Sequence, residues 1–556
     1  MTLSVAMLGA QIAWTVELGY GTPFLLGLGI SEQLTSLVWL AGPISGLIAQ
    51  PVIGAISDSS TSKYRRRFWI ISSTVVLVLT TLVLAYCEAI AAFFVDLFGV
   101  GAGDWDEQRR ECRHWFRGDF VLSIGFCPQR ASSVSEEPSL GLSHQPSQLN
   151  AGNAWHGRMT HAGNIVGFGF GFFPLAKLPF LQIFGGSQFR KFCILCNFIL
   201  VVTVFITCYC HEEQERAATS KSSGKFREVL DNIYVAIIKL PRAVRRVCYV
   251  QLFAFMGWFP FLFYSLWLAE IGKEPDRDLA AQRGEFAMLL YSVVSVIAGT
   301  VLPHLASRDR RLMAHKEDVD EDAELTRIRN MVHEWRTEAA RKGRPLRLPV
   351  MPFLLRNIWT GAMLWFSLLT FSTFLITDVK QASIFVALVG ISWAVAMWAP
   401  FAIIMELLKD MSSPPAPIRS HTRTLSTPPR RIVSERQPLL RTRSLDEFEA
   451  DEDEVPSETP VAGGTILGVH NLAIVMPQFV ISLVSSFIFR VVDKSIEGDP
   501  SDVFYGKNGV VWVLRFGGLC TLVGAMIARM VPPTPTEKAM RRRLGEMKLL
   551  QTTAVA

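Results

Sequence analysis

The sequence predicts an all-α protein that crosses a membrane many times. Three observations carry this: long apolar stretches recur along the chain, basic residues cluster between them, and the first stretch holds one isolated acid. The 556 residues are 50% hydrophobic and only 19% charged, against roughly 25% charged in soluble domains. A crossing helix needs about 20 mostly apolar residues. Stretches that meet this lie near 4–29, 35–57, 68–98, 155–181, 191–210, 246–269, 286–306, 352–377, 383–408, 464–492 and 509–531.

The first stretch is too long for a cleavable signal peptide and has no basic segment before it. It is interrupted by Glu17. A carboxylate at bilayer depth is costly, so it is kept for work on ions or polar solutes. Glu17 is a candidate for proton coupling or for accepting hydrogen bonds from substrate; the alternative is a structural acid paired with an Arg or His of a neighbouring helix. The second stretch ends at Asp58, followed by Arg65, Arg66 and Arg67. These four can form a charged cytoplasmic gate that locks helices in one state and releases them in the other; plain positive-inside anchoring is the alternative. Gly42, Ser45, Gly46 and Gly54 in the second stretch, and Gly163, Gly167, Gly169 and Gly171 in the stretch from 155, permit close helix approach.

Basic clusters follow the second stretch (61–67), fill the middle (221–246), recur at 307–316, 341–347 and 410–445, and close the chain at 537–543. Basic loops mark the cytoplasmic side. Twelve crossings put every cluster on one side, whereas eleven break the pattern, so the charges require one more crossing between 99 and 154. The net charge of +6 thus reports orientation, and no nucleic-acid partner is expected. Residues 410–462 are rich in Pro, Ser, Thr and Arg and then turn acidic, a composition that cannot fold alone. The nine cysteines show no metal-ligand spacing, and neither a metal nor another cofactor is expected.

Inside later stretches, Asn164 can hydrogen-bond substrate or a neighbouring helix. Arg158, His156 and His161 lie near the start of the stretch from 155, and Glu406 and Arg515 are further intramembrane charges. Trp14, Trp258, Phe259, Tyr264 and Trp398 can stack on the apolar face of a sugar, or anchor and pack as Trp and Tyr commonly do. Asp104 and Asp106 read as solvated loop charge.

Several segments taken together resemble the sucrose and α-glucoside branch of the glycoside–pentoside–hexuronide cation symporters, of the major facilitator superfamily. They are WTVELGYGTPFLLGLG, WLAGPISGLIAQPVIGAISD with TSKYRRR, NAGNAWHGRMTHAGNIVGFGFGF, MGWFPFLFY, EFAMLLYSVVSVIAGTVLP and WAPFA. The resemblance implies twelve helices in two six-helix bundles: an N-terminal bundle 1–210, a linker 211–245, a C-terminal bundle 246–535 and a cytoplasmic tail 536–556. It implies proton-coupled movement of sucrose, maltose or a related α-glucoside by alternating access, at the plasma membrane rather than the vacuole, and no enzymatic activity. The alternatives are a carrier of another sugar, a uniporter, or a sensor that signals through 410–462.

The family's fourth helix, with its buried acid and Arg, belongs where residues 107–149 are polar and basic. Reading the coding strand of Phe120–Gly141 one base later can give SFYLLDFALNALQASLRNLLLD, about one bilayer long and similar to that helix. A frame error between about 112 and 147 is therefore expected, from misassigned intron boundaries, a sequencing slip or a real lesion.

Overall fold

The structure, a computed structural model, describes residues 4–27, 32–44, 64–87, 146–210, 240–263, 277–311, 354–412, 463–496 and 509–535, with a few isolated residues between and after them. Asp58, Tyr264, Asp104, Asp106, residues 101–145, most of the 211–245 linker and of the 410–462 loop, and the tail beyond 538 lie outside the described residues; so do the side chains of Arg65, Arg66 and His156.

Eleven α-helices are described: α1 Val5–Gly27, α2 Glu32–Val38, α3 Arg65–Ala85, α4 Pro146–Phe172, α5 Gln188–Cys210, α6 Arg242–Trp258, α7 Arg277–Arg311, α8 Leu355–Ser372, α9 Val379–Ser412, α10 Gly463–Ile496 and α11 Gly509–Met530. Each falls on one of the apolar stretches. Six of the described helices are long and apolar enough on their own to cross a membrane: those of α3, α5, α7, α9, α10 and α11. α1 carries Gln11, Thr15 and Glu17 along its length, and α6 passes after 17 residues into a 3-10 turn, Phe259–Phe263.

The helix contacts divide the chain into two halves with one pattern. In the first, α1 packs on α4 and α5, and α5 on α3. In the second, α6 packs on α10 and α11, and α11 on α8. The contacts between halves are reciprocal too: α4 meets α7, and α10 meets α2. The two sets superimpose in order only if α4 and α5 are the fifth and sixth helices of their half. One position, between α3 and α4, then has no described occupant.

Close contact inside each half depends on absent side chains. A Cβ on Gly9 of α1 would lie 2.9 Å from Leu200 Cα of α5, and one on Gly257 of α6 would lie 2.9 Å from Gly517 O of α11. One apolar cluster joins the halves, placing Leu25, Trp39 and Phe168 against Trp258, Met288, Tyr291 and Phe366. The outer surface is apolar as well, with Leu79, Phe205, Leu375, Leu483 and Phe487 exposed, as a lipid-facing coat requires. Between α4 and α5 the chain turns at Gly185 and Gly186 with φ of 60° and 74°, a left-handed conformation that favours glycine. That turn lets Arg190 donate to Ala85 O (3.0 Å) at the end of α3.

The basic end of α11 is tied down by its neighbours. Arg246 donates to Met530 O (2.7 Å), Arg529 to Asn357 Oδ1 (2.9 Å), and Arg356 to Val531 O (2.7 Å) and Glu537 (2.9 Å). Cations beside a helix C-terminus satisfy its free carbonyls and dipole. Glu537 is buried, so removing Arg356 leaves its charge less compensated. Arg356→Ala is expected to cost about 2 kcal/mol, read as a lowered thermal midpoint in detergent, with Arg246→Ala costing less because its bond is exposed.

Candidate functional site

Sidedness follows from the charges. The end of α7 that carries SRDRR (307–311) is cytoplasmic, so its start is the outer end. α1 and α4 run the opposite way, with their ends at Gly27 and Phe172 facing out. The three helices form a seam between the halves, and polar residues are spaced along it.

At the outer end lies Glu285 of α7. It is completely buried, and neither carboxyl oxygen has a hydrogen-bond partner among the described residues. Its room comes from two glycines in the other half: a Cβ on Gly19 of α1 would overlap Glu285 Oε1, and one on Gly171 of α4 would overlap the same carboxyl group. The Tyr20 hydroxyl closes this end by donating to Gly171 O at 3.2 Å. Phe172 and Phe286 flank the acid, with ring centroids 5.0 Å apart.

Further in, Gly167 of α4 accommodates Thr15 of α1, and Gly163 accommodates Gln11. The Gln11 amide donates to Asn164 Oδ1 at 2.8 Å. Deeper still, His161 Nε2 faces Gly299 of α7, where an added Cβ would be 3.9 Å away. The second half has its own pair at equivalent helices: Gln251 of α6 and His470 of α10 are buried and 3.1 Å apart. Each half thus holds its first helix to its fifth through a polar pair. Such groups are retained in an apolar interior only when hydrogen-bonded, and when a polar solute enters they can exchange each other for it.

Glu17 is half-buried on the stripe of α1 that also carries Ala10 and Ala13, which pack with Leu77 of α3; it faces away from the α4 seam. Trp14 is half-buried between that stripe and Leu18, which joins the cluster shared by the halves. Trp258 is enclosed by Phe366 (centroids 4.7 Å), Trp393 (5.0 Å) and Phe261 (6.4 Å). Trp398 packs against the second-half core. Arg158 is exposed near the cytoplasmic end of α4, 5.0 Å over the Trp155 ring. Arg67 is partly buried at the start of α3. Arg515 gains partners that the sequence did not indicate: it donates to Thr373 Oγ1 at 3.2 Å and stacks 3.4 Å over the Phe374 ring.

The structure adds Gln11, Thr15, Glu285 and the Gln251–His470 pair to the polar residues read from the sequence. Glu285 is preceded by RDLAAQRG, which averages out as loop. Glycines at 19 and 171 were visible, but nothing in one dimension joins them to residue 285.

Two pseudo-equivalent helical halves that meet reciprocally along polar seams are the architecture of the major facilitator fold, and the chain is an integral multi-pass membrane protein of that fold. It is 26% identical, over 96% of its length and 93% of the relative's, to the general alpha-glucoside permease of Schizosaccharomyces pombe. It is 24% identical to a sucrose transport protein of Arabidopsis thaliana, over 54% of this chain and 61% of that one, less than two thirds of the plant protein. No protein-family model matches the chain. Among solved structures it is similar to a bacterial homolog of the human lysosomal transporter Spinster in an inward-facing, unoccupied conformation, with a TM-score of 0.51 and 11% identity over 98% of this chain and 97% of that one. The resemblance read in the sequence motifs is upheld along nearly the whole chain.

Proposed function

We propose that the protein carries a disaccharide of the sucrose and maltose class across the plasma membrane together with protons, by alternating access between its two halves. The observation that carries this reading is the near full-length similarity to an alpha-glucoside permease. The fold supplies the means: two halves that meet at seams can rock about a central site. A dehydrated sugar needs a partner for each hydroxyl. Gln11, Asn164 and His161 offer donors and acceptors along one wall, and Trp14 offers an apolar face. Glu17 supplies the proton-binding group of the coupling step, and the Asp58 and Arg65–Arg67 cluster supplies the cytoplasmic lock.

The test is uptake of radiolabelled sucrose and maltose in cells lacking their own carriers, with the pH gradient intact and collapsed. Accumulation that disappears with the gradient supports the reading; accumulation indifferent to it removes the proton. Glu17→Gln keeps the shape and the hydrogen-bonding capacity but cannot ionise. It is expected to lower gradient-driven accumulation by about tenfold or more, a loss of about 1.4 kcal/mol or more in drive, while sugar-for-sugar exchange continues.

A further inference from the structure

Glu285 sits where the outer ends of α1, α4 and α7 meet. A carboxyl group with no exposure and no partner cannot hold a charge there without a large desolvation cost. What encloses it belongs to the opposite half: Gly19 and Gly171 lie directly against its oxygens. The enclosure therefore exists only while the outer ends of α1 and α4 touch α7. Once those ends separate, as alternating access requires, the same carboxyl group meets external water.

The ionisable groups around it leave this unchanged. α1 contributes Tyr20, whose hydroxyl is committed to Gly171 O, and Glu17, which lies on the α3 side of the helix. α5 contributes the buried thiol of Cys196 and Lys191, which has contacts of its own. α7 itself contributes exposed Arg283, also engaged. α9, which packs along α7, contributes Asp378 just before its start and Lys380 in its first turn, both exposed. On α4 the nearest described ionisable side chain is His161, ten residues towards the cytoplasm. None of the described residues supplies a counter-charge to the Glu285 carboxyl group.

We propose that Glu285 is a proton-binding site that gates the outer end of the seam: neutral when the halves are sealed there, ionised when they are apart. The carboxylate takes a proton from external water as the seam closes and returns it to external water when the seam reopens. It is therefore a gate separate from the transported proton assigned to Glu17, and external acidity favours the sealed state even without sugar. This rests on the carrier reading only in requiring that the outer ends of the halves separate.

The experiment measures the opening directly. Thr22→Cys places a thiol one turn outward from Gly19, at a residue that is fully buried while the seam is sealed. Its labelling by a membrane-impermeant maleimide is followed without sugar, on the full-length protein in sealed vesicles oriented outside-out; labelling of the parent protein is subtracted, and each rate is divided by that of Ile183→Cys, an 86% exposed position, at the same pH, because the thiolate fraction sets the reagent's own pH dependence. Lowering external pH from about 8 to about 5 is expected to slow labelling severalfold. Adding Glu285→Gln is expected to make labelling slow at every pH. Adding Gly171→Ala instead retains the acid but obstructs closure, and should make labelling fast at every pH. A Glu285→Gln protein that keeps the original pH profile overturns the proposal, as does a Gly171→Ala protein that still closes in acid. If Glu285→Gln does not reach the membrane, Glu285→Ala is measured in its place and is expected to show no pH dependence; one that keeps the original pH profile overturns the proposal. Sugar uptake is not part of the readout, so failure of the disaccharide reading would appear in the uptake assay and leave these labelling rates unaffected.

Discussion

Gly163→Val is expected to leave little folded protein. A Cβ at this position would sit 2.7 Å from Gln11 Cβ and 2.8 Å from Leu8 O. A side chain can rotate away, but the Leu8 carbonyl belongs to the backbone of α1, so relief requires the helices to move apart. That movement breaks the Gln11–Asn164 bond and leaves two half-buried amides without each other. Overpacking costs about 1–3 kcal/mol and stranded polar groups add about 1–3 kcal/mol more. The sum is a large part of the stability of an ordinary domain. The measurement is the monodisperse fraction after detergent extraction, with Gly169→Val as the comparison. Nothing lies within 4 Å of a Cβ at Gly169, so that variant should be recovered as well as the parent. Equal recovery of the two valine variants would mean that α1 and α4 do not approach as closely as the structure places them.

The same contrast shows how far the sequence could be read. Helix existence was legible because lipid imposes a length and an apolar composition on each crossing; all eleven apolar stretches correspond to described helices. Boundaries were legible only where charge and apolarity coincide. The stretch from 286 begins one residue after Glu285, because Arg277, Asp278, Arg283 and Glu285 look like loop, yet α7 starts at Arg277. Glycines could be named as packing residues, but not which glycine meets which helix. Gly163 and Gly167 hold α1, Gly171 meets Glu285 of the other half, and Gly169 meets nothing near. Arg515 was visible as a charge in an apolar helix, whereas its stacking on Phe374 is a contact between α11 and the turn after α8, which no periodicity within one helix encodes.

Restoring the fourth helix is expected to give the largest gain of function. The contact pattern leaves one place in the first half, after α3 and before α4, and the second half shows what should fill it. There the third helix, α8, packs on the fourth, α9, as well as on α11, and nine of its 18 residues are buried. In the first half only 17% of the apolar window of α3 is buried, and Phe68, Ile71, Val75 and Leu79 are exposed. The printed residues 107–119 cannot serve as that neighbour within lipid. Glu107, Arg109, Arg110, Glu111, Arg113, Arg117 and Asp119 would each cost about 3 kcal/mol near the bilayer centre. The stretch read one base later is apolar and carries a single Arg and two acids. Glu17 lies on the α3-facing side of α1, and an Arg on the restored helix would add a cation to the same half. Replacing residues 120–141 by the shifted reading, with the bases before and after adjusted to keep the frame, should raise sugar accumulation at least about 100-fold over the printed chain, equivalent to about 2.7 kcal/mol. Surface biotinylation measured alongside separates a folding defect from a transport defect. If the printed chain reaches the surface and accumulates sugar as well as the restored one, the empty position is filled by other means and the frame-error explanation is wrong.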